Sequence, residues 1–215
     1  MIILLIYQTA FYTGSGGAIS GMVGLPENIF FNPASIGNEE ISITFSNPFG
    51  VEDFYRGEIY FVHNIRDFIS GFGIRIKKVY SYYENDLMFS LKYGIIGFSF
   101  GGKYKVSEYG TRFYYNIRYG ALLSYKGLNI GISNERKSIS YKNINGIISF
   151  ETTNFNDLHF GLCIIPNNVF YGVFGFDNRF PSFGIGIKTG SLSLEFGLRF
   201  TELGMDNVWT TRWGF

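Results

Sequence analysis

From Ser191 to Phe200 the chain alternates without a fault. Leu192, Leu194, Phe196, Leu198 and Phe200 are apolar, and Ser191, Ser193, Glu195, Gly197 and Arg199 between them are small, polar or charged. An extended strand turns successive side chains to opposite faces, so this run makes one wholly apolar face and one polar face. After a break at 201–206 the chain ends in Asn207-Val-Trp-Thr-Thr-Arg-Trp-Gly-Phe215. There Trp209, Thr211, Trp213 and Phe215 share a face opposite Thr210, Arg212 and Gly214.

The same period returns from Ile41 onward. Ile41, Ile43 and Phe45 oppose Ser42, Thr44 and Ser46; Leu87, Phe89 and Leu91 oppose Ser90 and Lys92; Ile130 and Ile132 oppose Asn129, Gly131 and Ser133. Counted through the chain, the alternating segments predict fourteen antiparallel strands, or twelve if the weak pair at 138–143 and 146–151 is merged. Val169 to Phe176 is apolar on both faces and is the least regular of them. Short links near 64–67, 94–95, 126–127, 143–145, 166–168 and 189–190 alternate with longer ones near 47–54, 79–85, 108–111, 152–156, 177–182 and 201–206.

Only 16% of the residues are charged while 20% are aromatic, against about 25% charged in an ordinary soluble domain. No window approaches the ~20 apolar residues of a membrane helix. A chain of this composition that meets lipid must therefore close its sheet into a barrel, because hydrocarbon offers no partner to an open edge. A soluble β-sandwich or lipocalin would carry the same alternation with the apolar face turned in; the aromatic load and the terminal strand favour a transmembrane β-barrel. The expected organisation is a secretory signal over 1–18, opening on Met1-Ile-Ile-Leu-Leu-Ile-Tyr7, then a Gly-rich segment over 19–40 and the barrel over 41–215.

The terminal strand, with Trp209, Trp213 and Phe215, resembles the C-terminal strand of bacterial outer-membrane β-barrel proteins, in which it is the signal read by the barrel-assembly machinery. Phe31-Asn32-Pro33-Ala34 resembles the Asn-Pro-Ala segment ahead of the first strand in the FadL-type transport proteins and their PorV-like relatives. That resemblance implies a cell outer-membrane location, a fourteen-stranded wall and an N-terminal segment that plugs the lumen, here shorter than in the large fatty-acid transporters. The residues alone allow Asn32, Pro33 and Ala34 to be a turn that opens the first strand.

Charge placement is consistent with the wall. Twelve cations fall on the polar face: Arg56, Arg75, Lys77, Lys92, Lys103, Lys105, Arg112, Arg118, Lys142, Lys188, Arg199 and Arg212. Only Lys78, at a strand end, falls on the apolar one. A Lys or Arg at the lipid midplane costs about 2–4 kcal/mol, so this distribution suits an apolar face in lipid. With Glu58, Glu135, Glu151 and Glu195 as the polar-face anions, and Glu52, Asp53, Glu84, Glu108, Asp177, Glu202 and Asp206 in the longer links, the expectation is a basic lumen under an acidic rim. An open lumen of that kind prefers anions; a closed one is neutralised by these acids and by Glu27 in the N-terminal segment.

Little points to catalysis. His63 and His159 are the only imidazoles; a hydrolase would need His159 with Ser149 and Glu151, a trio without a motif. The single Cys163 excludes an intrachain disulfide and a Cys-cluster metal site, and a net charge of +1 argues against nucleic acid. No cofactor is expected. The expected partners are membrane lipid, the barrel-assembly machinery and a small solute. The expected function is passage of hydrophobic or small solutes, with a structural or export-associated barrel as the alternative.

Overall fold

The computed structural model describes residues 10–15, 17–153, 157–167, 169–178 and 180–215. Fourteen strands follow one another: β1 Glu40–Ser46, β2 Phe54–Ile65, β3 Phe68–Val79, β4 Tyr82–Tyr93, β5 Ile96–Ser107, β6 Gly110–Tyr125, β7 Leu128–Ser133, β8 Arg136–Asn143, β9 Gly146–Thr153, β10 Asp157–Ile164, β11 Phe170–Asp177, β12 Phe180–Thr189, β13 Leu192–Thr201 and β14 Gly204–Gly214. Each pairs antiparallel with its sequence neighbours, and β1 pairs with β14 to close the barrel. Closure leaves no lipid-facing edge along the common height of the wall, which is what hydrocarbon demands.

The period-two pattern decides the faces. Along β12, Phe183, Ile185 and Ile187 are exposed while Ser182 and Gly186 are buried; along β1, Ile43 and Phe45 are exposed while Ser42, Thr44 and Ser46 are buried. The apolar face is thus outside and the polar face inside, the inverse of a soluble barrel, and the chain is a membrane-embedded barrel. Aromatic rings line the outer wall in contact with one another, as in Phe72–Phe89–Phe100 and Phe174–Phe183–Phe200.

The links depart from expectation. Three of the links read as long are two-residue turns, Tyr80-Ser81, Glu108-Tyr109 and Glu202-Leu203; the link after Thr153, and part of the one after Asp177, lie outside the described residues. Among the described residues, only the link 47–53 is long at that end of the barrel. The reason is that alternation continues past the apolar band, with Tyr, Lys and Glu in place of Leu and Ile, so the strands are longer than their apolar cores. Glu84, Asp177 and Asp206, expected in loops, are therefore strand residues that turn inward.

The wall is uneven in height. β2 to β5 have twelve residues each and β6 sixteen, whereas β7 has six. β7 pairs only with Gly120–Tyr125 of β6, so the first half of β6 stands roughly 20 to 25 Å above its neighbour, given the rise per residue and the usual tilt. At the step, the Asn134 side chain accepts from Tyr119 N and donates to Ile117 O, occupying the place of a further strand residue.

Of the span 1–18 read as a signal, residues 1–9 and 16 lie outside the described residues. Ala10–Gly14 is a one-turn helix, α1, with all five residues buried. It lies against β12 and β13, where Gly197 makes room for it: a Cβ on Gly197 would strike the Ala10 backbone, and one on Gly184 would stand in contact, 3.4 Å from Gly14 Cα.

Candidate functional site

From Ala10 to Ile36 almost every described residue is buried, and its contacts are with the inward side of the wall. The wall makes room for it. Gly97 on β5 and Gly120 on β6 are cross-strand partners, and the pair leaves a hollow in which Asn32, Pro33 and Ala34 sit. A Cβ on Gly97 would meet the Pro33 and Ala34 backbone, and one on Gly120 would meet Asn32 Oδ1. Pro33–Ser35 forms a short 3₁₀ turn capped by Asn32, whose Oδ1 accepts from Ala34 N at 3.2 Å while its Nδ2 donates to Ser20 O at 3.0 Å. Nothing in the sequence had linked these glycines to that tripeptide, because the pairing of Gly97 with Gly120 depends on register.

Cations of the wall fasten the same segment. Arg212 on β14 donates to Glu27, and also to Glu40 at 3.0 Å and Glu195 at 2.7 Å. Lys92 donates to Ile36 O at 2.8 Å. Two guanidiniums approach the Phe31 ring, with Arg75 Cζ 4.8 Å and Arg136 Cζ 4.2 Å from its centroid, and the ring stacks on Tyr12 at 5.1 Å. Such contacts are worth about 2 kcal/mol or more once desolvated. Arg136 also binds Glu151, whose other oxygen accepts from Ser20 N at 2.7 Å, and donates to Gly17 O at 3.3 Å. Arg136 was not among the expected wall cations because the alternating segment was started at residue 138; its neighbour Lys137 faces out, as the period-two rule requires once β8 begins at Arg136.

The remaining cations divide by height. Arg56 pairs with Asp206 at 2.5 Å, Arg199 with Asp177 at 2.9 Å and, at 3.9 Å, with Asp206. Arg75 reaches Tyr60 Oη at 2.8 Å and Glu58 at 3.9 Å, and Tyr60 in turn donates to Glu58. Lys103 and Lys105 meet Glu84 and Asp86, Arg118 meets Glu135 at the β7–β8 turn, and Lys77 lies 5.4 Å from the Tyr82 ring. Arg112, Lys142 and Lys188 are exposed and have no ion pair among the described residues. The expected acidic rim over a basic lumen is thus replaced by pairing within the lumen, since Glu84, Asp177 and Asp206 belong to it. Leaving such cations unpaired in a low-dielectric wall would cost several kcal/mol each.

His159 does not join the trio considered for catalysis. Its Nδ1 lies 3.1 Å from Asp177 and its Nε2 3.4 Å from Thr153 Oγ1; Glu151 stands opposite in register but is engaged with Arg136 and Ser20, and Ser149 Oγ makes no hydrogen bond. His63 is half-exposed beside Glu39, with its Nδ1 2.9 Å from the carboxylate. Cys163 is buried. Among the described residues no group of three or more His, Cys, Asp and Glu is placed to hold a metal ion.

The terminal aromatics stand outside. Trp209 packs on Phe196 at 4.5 Å, and Phe215 stacks on Phe61 at 6.0 Å beside His63. Phe215 N donates to Glu39 O, tying the last residue to the start of β1. At the barrel end where β14 finishes, two adjoining cavities of about 700 and 530 Å³ open beneath the segment, sharing Phe11, Leu25, Tyr171 and Lys188. The larger also touches Glu40, Glu195 and Arg212; the smaller is lined by Met22, Ile147, Cys163 and Ile165.

The CymD monoaromatic hydrocarbon channel has the same architecture, with a TM-score of 0.66 over 96% of this chain and 97% of that one, at 10% identity. The likeness is one of fold. A variant of the Rh. blastica porin aligns over 83% of this chain and 99% of its own at 8% identity and a TM-score of 0.43, too low to carry an argument. No protein-family profile and no curated protein sequence matches the chain.

Proposed function

We propose that this chain is an outer-membrane barrel that passes small, largely apolar solutes, with its terminal end toward the periplasm and its N-terminal segment as a partial plug. The observation that carries this reading is the pair of cavities beneath the segment. The smaller is walled by Phe11, Met22, Leu25, Ile147, Ile165 and Tyr171, with Asn38, Asn167, Lys142 and Lys188 as its polar groups, a largely apolar lining with a few polar side chains of the kind that apolar ligands select. The architecture shared with a monoaromatic hydrocarbon channel supports the same solute class. Uptake of a monoaromatic hydrocarbon into proteoliposomes tests it. The expected result is uptake above protein-free vesicles, raised when the residues before Glu39 are removed; no uptake by either form overturns the reading.

A second reading, a structural or export-associated barrel, is favoured by how completely Arg75, Lys92, Arg136 and Arg212 fasten the segment. A barrel that conducts in neither form, yet retains one partner in stoichiometric amount when purified from its native envelope, would support that reading instead.

A further inference from the structure

On the inner face of the tall wall, Lys77, Glu84, Lys105 and Arg112 form one cross-strand row over β3, β4, β5 and β6, each facing the next in register. The row beneath is Arg75, Asp86, Lys103 and Tyr114. Both lysines converge on Glu84: Lys103 Nζ lies 3.1 Å from Oε1 and Lys105 Nζ 3.3 Å from Oε2, where Tyr82 also donates. Lys103 is shared with Asp86 at 3.5 Å. Arg75 is engaged below with Tyr60 and Glu58. Lys103 and Lys105 therefore take up both carboxylates of these rows, and Lys77 and Arg112, with no ion pair among the described residues, leave an excess of two positive charges at one face.

The excess gathers toward β6. Lys105 and Arg112 stand directly opposite each other, an arrangement that destabilises a sheet when nothing lies between the two charges. Arg112 is exposed, and the Tyr114 ring lies 5.6 Å from Lys105 Nζ. This part of β6 rises above the rim of β7, so the face is open to the outside ahead of the lumen.

We propose that Arg112 and Lys105, with Tyr114 as a side wall, bind an oxyanion, a carboxylate or a phosphate, at the outer mouth of the barrel. Arginine offers a planar fork that matches two oxygens of such a group, and lysine adds a point charge. A bound anion would also relieve the repulsion between Lys105 and Arg112. The site does not depend on conduction, so it stands or falls apart from the transport reading.

The test uses the full folded chain in a zwitterionic detergent, with inorganic phosphate followed by ³¹P line broadening and ¹³C-labelled acetate by ¹³C broadening. The expected result is saturable binding of at least one probe, the tighter one naming the anion. The paired substitution R112Q/K105Q should weaken it at least tenfold, and K142Q/K188Q, which removes two exposed cations at the opposite mouth, should leave it unchanged. If the first pair does not fold, shown by loss of heat-modifiable mobility, Arg112→Gln alone should lower affinity and Arg112→Lys restore part of it. Absence of saturable binding by both probes, or an equal loss in K142Q/K188Q, overturns the proposal.

Discussion

Arg212, in the last strand, donates to Glu27, a residue 185 positions earlier that lies inside the barrel. The same guanidinium holds Glu40 at the start of β1 and Glu195 on β13. One side chain thus joins the N-terminal segment, the closing seam and the neighbouring strand. Replacing Arg212 with Met leaves the buried carboxylates of Glu27 and Glu195, and the partly buried one of Glu40, without their cation, a change that costs about 3–5 kcal/mol when a buried pair is broken from one side. Urea unfolding in detergent should show a loss of that order, with Glu27→Gln costing less because Glu40 and Glu195 still hold the arginine.

The hollow made by Gly97 and Gly120 gives a sharper test of the segment. Gly97→Val places a branched side chain where the Pro33 and Ala34 backbone now lies, and backbone cannot yield as a flexible side chain can. The barrel should still form, because valine favours strands. The segment should come away, read as faster proteolysis between Gly17 and Gly37 than in the unaltered protein.

Ile43, the middle residue of β1, is more than half exposed on the outer wall. Ile43→Lys should cost about 2–4 kcal/mol of stability in a bilayer, whereas in a detergent micelle, whose surface can deform around the charge, the loss should be smaller. Equal losses in the two media would show that the face does not meet hydrocarbon.

Phe215 caps the outer aromatic row and ties its backbone to Glu39. Phe215→Ser removes the ring but keeps that hydrogen bond. Refolding of the purified chain into detergent should change by less than about 1.5 kcal/mol, the scale of one aromatic pair. Assembly in cells, followed by heat-modifiable mobility in membrane fractions, should fall several-fold.

The sequence by itself determined the wall. Strand-face alternation is a property of neighbouring residues, so the runs around Ile43, Leu91 and Leu194 announced a sheet with one apolar face, and the count of fourteen followed from repeating the test along the chain. The low charge, the aromatic load and the terminal strand then favoured a closed barrel in lipid. Tertiary structure alone decided what fills and neutralises the interior. Glu84, Asp177 and Asp206 looked like loop acids because strand ends beyond the apolar band lose their Leu and Ile; only the register shows them opposite Lys105, His159 and Arg199. The hollow at Gly97 and Gly120 likewise exists only when two strands lie side by side. Local periodicity fixes which way a side chain points, but what it meets there depends on residues brought alongside by the closure of the whole barrel.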